Sequence, residues 1–495
     1  MQSSSERETS PASSATQRRR SKAPTRRHRL NSRFERWSDT RWGGAGSALA
    51  AILAGAAVLR AVGIQYGLPF GNLLNPDEQS IVARSWRLVH GGGGDPHWFD
   101  YPTLLMYLLA PFQAWQGEPS YLSARIVVVL LGVGAVAAAW WLGRRAYGRP
   151  AGLVAAAVVA IETTEVAYSR TAVTDVPLTL GVAASLALLV SGRIELGALA
   201  AGLATSFKYP GVFLLVPLAV AGYRHPRRLA FGAVLFLVAF CVTSPYFLVH
   251  LHQAVSDAYD VQKLARQGWL GFEHDHVAPI AFLDRLWDGL GPALLVCGLG
   301  LVLAVARRAR TDVILASFTI VYFLDLCTLG AHFDRYVLPL VPALGALAGR
   351  VRSLAPVTLL LLVVPLTWAI RDDRRLTKTD TRVVAHDWVE QHLPQGARIA
   401  VDSSLTPFEG FRVLKLRLPL SEEDRADPNR DLTRLRNSGY RYAVVTGAIA
   451  DRVLAARTHY PKETAFYEDL GTLTKRLLYV RPDGLNGPWV AVYRL

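Results

Sequence analysis

Long apolar runs with few charges recur between residues 43 and 370, and about 20 apolar residues is the length a helix needs to cross a bilayer. The runs fall at 43–67, 120–142, 151–167, 176–191, 194–207, 209–222, 229–249, 289–306, 312–330, 336–349 and 354–370, which makes about eleven expected spans. The pairs that meet around Lys208 and around Arg335 have almost no connecting loop. After the first run, Ile81, Val82, Trp86 and Val89 recur at helical spacing beside Arg84 and Arg87, which predicts a helix lying on the membrane surface. The glycines at 91–94 break it. From Arg371 the pattern becomes that of a small α/β domain, with an amphipathic helix over Thr381–His392 and strands at 398–401, 441–445 and 489–493. The expected fold is therefore mainly α and polytopic, with surface helices in the first outer loop and a C-terminal extracytoplasmic α/β domain.

Composition agrees: 51% of the residues are hydrophobic and the mean hydropathy is +0.23, too apolar for an ordinary soluble enzyme of 495 residues. The net charge of +15 is uneven. Residues 1–42 are rich in Ser, Thr and Pro, carry Arg18, Arg19, Arg20, Lys22, Arg26, Arg27 and Arg29, and read as a disordered tail. Directly before a span, such a tail is explained by the positive-inside rule rather than by nucleic-acid binding. The first apolar run begins too far from Met1 for a cleavable signal peptide. The segment 102–116 could cross or lie on the surface. On the outer surface, it leaves the basic loops 144–149, 223–228, 306–310 and 350–353 on the side of the tail. This puts the N-terminus in the cytoplasm, residues 43–370 in the plasma membrane and residues 371–495 outside. Cys241, Cys297 and Cys327 all lie in apolar runs and read as small packing residues.

With that topology the polar residues at outward span ends form one set. Its centre is Leu74-Asn75-Pro76-Asp77-Glu78. Helix-start chemistry alone could produce the string, since Asn caps, Pro suits the first turn and acids favour the positive end of the dipole. The set also contains His97, Asp100, Tyr101, Tyr168, Arg170, Asp175, Lys208, Tyr209, His332, Asp334 and Arg335. Each has an ordinary reading: Asp175 as a cap, Lys208 as a snorkelling cation, Arg335 as the partner of Asp334. Carboxylates and cations converging on one face are nevertheless what binding an anionic head group and removing a proton require. The spacing of His274-Asp275-His276 is compatible with metal ligation.

Four strings in order, NPDEQSIVARSWRLVHGG, HWFDYPTLLMYLLAPF, RRAYGRPAGLVAAAVVAIETTEVAYSRTAVTDVPLTL and GLATSFKYPG, resemble the membrane glycosyltransferases of GT-C fold. Within these the chain is similar to the bacterial branch related to protein O-mannosyltransferases and the lipid A aminoarabinose transferase. The likeness covers roughly residues 43–250, and HFDRYVLPLVPAL extends it. It implies a polyprenyl-phosphate-linked sugar donor used on the outer membrane face. It also implies Asp77 and Glu78 as the acid pair of the first outer loop, Asp175 as the acid of the second, and Lys208 and Arg335 as phosphate contacts. Where a Lys-Pro-type motif is expected, this chain has Asp100-Tyr101-Pro102-Thr103.

The expected reaction is one inverting displacement, with Asp77 taking the proton of an acceptor hydroxyl. Lys208 and Arg335 would stabilise the departing lipid phosphate. Tyr101, His97, Arg170, Tyr209 and His332 are further candidate substrate contacts. A divalent cation (Mg, Mn or Zn) held by Asp77 and Asp175, or by His274 and His276, is the candidate cofactor. No nucleotide fingerprint is present, so no nucleotide cofactor is expected. The acceptor could be a glycan, a lipid or a protein. The rival readings are a flippase for the same lipid and a non-catalytic scaffold that binds envelope polymer.

Overall fold

The computed structural model describes residues 45–70, 75–419 and 427–495. The basic tail expected at 1–42 and Leu74 of the first acidic string lie outside the described residues. Residues Ala48–Leu495 form one compact unit.

Helix α1 (Ala45–Ala61) is followed by the amphipathic α2 (Pro76–Val89), which buries Ile81, Val82 and Ser85, and by the short apolar α3 (Leu104–Gln113). At 10 residues α3 is shorter than a single spanning helix. Next come α4 (Tyr121–Tyr147), α5 (Arg149–Ile161), α6 (Thr163–Ser169), α7 (Asp175–Val190) and α8 (Ile194–Phe207). A 3₁₀ segment, Tyr209–Leu214, leads to α9 (Leu215–Gly222), α10 (Pro226–Thr243), α11 (Pro245–Val249) and α12 (Leu251–Gln267). Helices α13 (Ala278–Leu290), α14 (Ala293–Arg307) and α15 (Arg310–Leu326) precede a second 3₁₀ segment, Asp334–Leu340. Helices α16 (Val341–Arg350), α17 (Ala355–Leu361) and α18 (Val363–Leu376) complete the bundle.

The expected spans are helical but shorter and more broken than eleven regular rods. Among the described residues, three helical stretches are long and apolar enough to cross a membrane singly: Tyr121–Tyr147, Pro226–Thr243 and Arg352–Leu376. Two bent pairs raise the number to five: α5 with α6 at 61°, and α13 with α14 at 120°. Glu162 caps the break in the first pair, and Gly291 with Pro292 makes the second. Such breaks survive where neighbouring helices cover the freed backbone groups. Helix α10, by contrast, turns Phe231, Val234, Leu237, Val238 and Val242 outward, as a lipid-facing helix does.

Small residues let these helices approach closely. A Cβ on Gly202 of α8 would lie 2.3 Å from the carbonyl oxygen of Phe236 in α10. Gly202→Val is therefore expected to lower stability by about 1–3 kcal/mol or more. Thermal unfolding in detergent measures this, with Gly298→Ala, where a Cβ meets nothing within 4 Å, as the silent control.

The basic loops gather at one end of the bundle. Arg350 pairs with Asp312 at 2.7 Å, Tyr147 donates to the same carboxylate at 2.8 Å, Arg352 donates to the Tyr147 carbonyl, and Arg310 to that of Ala221.

The C-terminal part contains α19 (Thr381–His392), β1 (Arg398–Asp402), β2 (Arg412–Leu416), α20 (Leu432–Asn437), β3 (Tyr442–Thr446), α21 (Gly447–Ala455), α22 (Pro461–Leu473), β4 (Lys475–Val480) and β5 (Val490–Arg494). The sheet order is β2-β1-β3-β5-β4, with β2, β1 and β3 parallel and β5 and β4 antiparallel to their neighbours. Strands β1 and β3 are buried on both faces: α19 packs on Ile399, Val401 and Val444, while α20, α21 and α22 pack on Ala400, Ala443 and Val445. Residues 268–276 tie this part to the bundle, with Leu270 in its core and Tyr460 donating to Glu273 Oε1 at 2.6 Å.

Candidate active site

The first turn of α2 is set by its cap. The Asp77 amide donates to Asn75 Oδ1 at 2.9 Å and Pro76 occupies the first helical position. Successive residues on a helix point about 100° apart, so Asp77 and Glu78 face different surroundings. Asp77 Oδ2 accepts from Arg335 Nη1 at 2.6 Å and from the Tyr101 hydroxyl at 2.9 Å. Glu78 points inward, is fully buried, and takes both Arg125 Nε at 2.7 Å and Arg125 Nη2 at 2.9 Å.

Asp175 opens α7, behind the turn of residues 170–174. Its Oδ1 accepts from Lys208 Nζ at 2.6 Å, while its Oδ2, 3.9 Å from Arg335 Nη1, is buried without a hydrogen-bond partner. Lys208 sits where α8 stops and the 3₁₀ segment begins, so no loop solvates it. Its ammonium lies 4.9 Å from the Tyr336 ring centre and 5.7 Å from that of Tyr101. Arg335 is the second residue of the second 3₁₀ segment, its amide donating to Asp334 Oδ1 at 2.8 Å, and Asp334 also receives the Tyr168 hydroxyl at 3.0 Å. Four elements far apart in the chain thus deliver Asp77, Asp175, Lys208 and Arg335 to one lattice of charges. The side chain of Asp77 is 24% exposed against 2% for Asp175, so Asp77 is the acid an incoming molecule can reach. Beside it, burial raises the Asp100 carboxyl above its ordinary value, with Asp257 and Asp77 adding to the shift.

Other residues singled out in the sequence lie elsewhere. Glu78, expected to share the chemistry, is instead enclosed by Arg125 and by the Ala172 amide at 2.9 Å. Arg170 donates to the carbonyls of Leu59 and Val62 and pairs with Asp373 at 2.6 Å, which ties α1 to α18. Tyr209 donates to the Phe99 carbonyl at 2.7 Å and so positions the loop that carries Tyr101. His332 is buried against Asp275, which also takes Arg285 at 2.8 Å. His97 is exposed beside Asp95 and His250.

Neither expected cation site fits. Arg335 and Lys208 already offset Asp77 and Asp175, so a divalent ion would compete with two cations for two carboxylates. His274 Nε2 faces the Ala455 carbonyl at 2.8 Å, while Asp275 turns to Arg285 and His332. Arg125, Tyr336 and the Asp95–His250 pair do not stand out in the sequence as members of the outer polar set. Only Arg125 carries a signal, being a charge inside an apolar run.

Residues 98–330 match the model of glycosyltransferase family 87. No curated protein is a significant relative of the chain. Among solved structures, ArnT from Cupriavidus metallidurans bound to undecaprenyl phosphate is 16% identical with a TM-score of 0.51, over 91% of this chain and 98% of that one. The Archaeoglobus fulgidus oligosaccharyltransferase in the apo form is 13% identical with a TM-score of 0.55, over 90% of this chain and 74% of that one. The archaeal oligosaccharyltransferase AglB from Archaeoglobus fulgidus, in complex with an inhibitory peptide and a dolichol-phosphate, is 13% identical with a TM-score of 0.53, over 91% and 74% of the two chains. The segment matched by the family model holds Tyr101, Asp175 and Lys208, the fold carries Asp77 and Arg335 to them, and the chain is a membrane glycosyltransferase of GT-C fold.

Proposed function

We propose that this glycosyltransferase moves a sugar from a polyprenyl-phosphate donor to an acceptor hydroxyl in a single inverting displacement, with Asp77 as the base. The observation that carries the reading is the meeting of Asp77, Asp175 and Lys208 around Arg335. A lipid phosphate entering this lattice competes with the carboxylates for Arg335 and Lys208. When Arg335 turns to the phosphate, Asp77 Oδ2 is left to accept the acceptor's proton, with Tyr101 still donating to it. The two cations then stabilise the phosphate as the bond to the anomeric carbon breaks. The carbon inverts because the acceptor oxygen attacks opposite the leaving phosphate. The undecaprenyl phosphate of the ArnT complex and the dolichol-phosphate of the AglB complex support a donor of this class.

In this reading the protein is a multi-pass plasma-membrane enzyme with its N-terminus in the cytoplasm. The cluster of Arg145, Arg228, Arg310, Arg350 and Arg352 at the opposite end from Asp77 supports that orientation by the positive-inside rule. Residues 371–495 form an outer α/β domain beside the site. The acceptor is an envelope glycan, lipid or protein.

The test is transfer of radiolabel by purified protein from polyprenyl-phosphate sugars to envelope fractions. Lys208→Gln and Arg335→Gln are each expected to weaken donor binding roughly tenfold to a hundredfold, the equivalent of the ~1.5–3 kcal/mol of a charged hydrogen bond. Donor affinity unchanged in both variants would remove these cations from phosphate recognition.

A further inference from the structure

Asp95, His97 and His250 form a second polar cluster, away from the Asp77–Arg335 lattice. Asp95 and His97 follow the glycine break after α2, and His250 lies at the start of α12, so the cluster joins two outer segments separated by some 150 residues of chain. Asp95 Oδ2 is 2.7 Å from His250 Nε2 and 3.3 Å from His97 Nδ1, and all three atoms lie within 4.8 Å of one another. We propose that these three residues bind one transition-metal dication of the zinc class, with solvent completing a tetrahedron.

The donor set and its spacing carry this. Two imidazoles and one carboxylate, with a fourth position open to water, is a favoured composition for zinc. With bonds of about 2.0–2.1 Å, neighbouring ligands of a tetrahedral ion stand about 3.3 Å apart. The Asp95–His97 separation already has that value, and the Asp95–His250 separation needs to open by a fraction of an ångström. A simple ion pair between His250 and Asp95 does not account for His97. Its side chain is 71% exposed, yet it is turned back toward the carboxylate by a left-handed backbone, φ +49°, which a residue with a side chain seldom adopts. Its amide donates to Asp95 Oδ1 at 2.9 Å, so the carboxylate keeps Oδ2 for the ion. Phe99 packs against the His250 ring at 6.1 Å and screens one side of the site.

The ion has a role that follows from its position. Four residues after His97, Tyr101 reaches Asp77. Trp98 meets the Tyr101 ring edge-on at 5.6 Å, and the Phe99 carbonyl takes the Tyr209 hydroxyl. Pinning residues 95–97 to α12 therefore holds the loop that presents Tyr101. Asp95, His97 and His250 are positioning residues in this scheme and touch no reacting atom.

Full-length protein in detergent, stripped with chelator, is titrated with Co²⁺ and then competed with Zn²⁺, with visible absorption and elemental analysis as readouts. The expected result is about one ion per chain, with the intense d–d bands of tetrahedral cobalt. His97→Gln and His250→Gln should each lose that ion while keeping the wild-type unfolding temperature in chelator. Asp77→Asn should retain it, which separates this site from the transferase centre and makes the outcome independent of any glycosyl transfer. Binding of the same stoichiometry and spectrum in both histidine variants, or no ion bound by the parent at micromolar metal, overturns the proposal.

Discussion

Asp77→Asn is expected to slow glycosyl transfer by about 10²–10⁴-fold, the usual worth of a positioned base, while donor affinity and folding stay near the wild type. Asparagine has the same shape, and its Oδ1 can still accept from Arg335 and Tyr101, so the lattice persists. What it cannot do is take a proton. Single-turnover transfer from labelled lipid donor, with donor binding measured separately, reads the two quantities apart. Asp175→Asn should behave differently. Asp175 is almost wholly buried and holds Lys208, so its loss is expected to show first in donor affinity. Wild-type turnover by the Asp77→Asn protein would exclude it as the base.

Much of the fold was legible because the bilayer imposes a length and a composition on each crossing. Helix α19 lies where its period placed it, and β1, β3 and β5 lie within a residue or so of the alternating segments that predicted them. Strands β2 and β4 were missed because both are edge strands with basic residues at exposed positions, Arg412 and Lys415 in β2 and Lys475 and Arg476 in β4, which dilute any apolar pattern. The short, bent spans were also beyond pattern reading: a run such as 151–167 stays apolar whether it is one rod or two helices meeting at 61°. At the site, hydropathy could place Asp77, Asp175, Lys208 and Arg335 at one end of the bundle, since Asp77 lies in the polar stretch after the first apolar run and each of the others where a run begins or ends. It could not assign their partners. Which cation meets which carboxylate depends on the order in which α2, α7, α8 and the second 3₁₀ segment pack. The cluster of Asp95, His97 and His250 was invisible for the same reason.

Glu78→Ala tests how differently two neighbouring acids are used. Glu78 and Arg125 are both buried, and Arg125 Nη1 also donates to the carbonyls of Ile64 and Tyr66 at 2.7 and 2.8 Å. The pair therefore clamps α2, α4 and the turns that follow α1 together, with the Ala172 amide as a fourth contact. Removing the carboxylate leaves an uncompensated guanidinium in a closed site, and breaking such a pair costs about 3–5 kcal/mol. The expected result is a large drop in unfolding temperature and in the yield of folded protein, with residual transfer in whatever folds. Glu78→Ala/Arg125→Met should recover part of the loss, because deleting both charges also deletes the penalty of burying one alone. A catalytic carboxylate would give the reverse: normal stability, abolished transfer and no rescue by the second substitution. That pattern in the Glu78 variants would return this residue to the chemistry and displace the structural role derived from its burial.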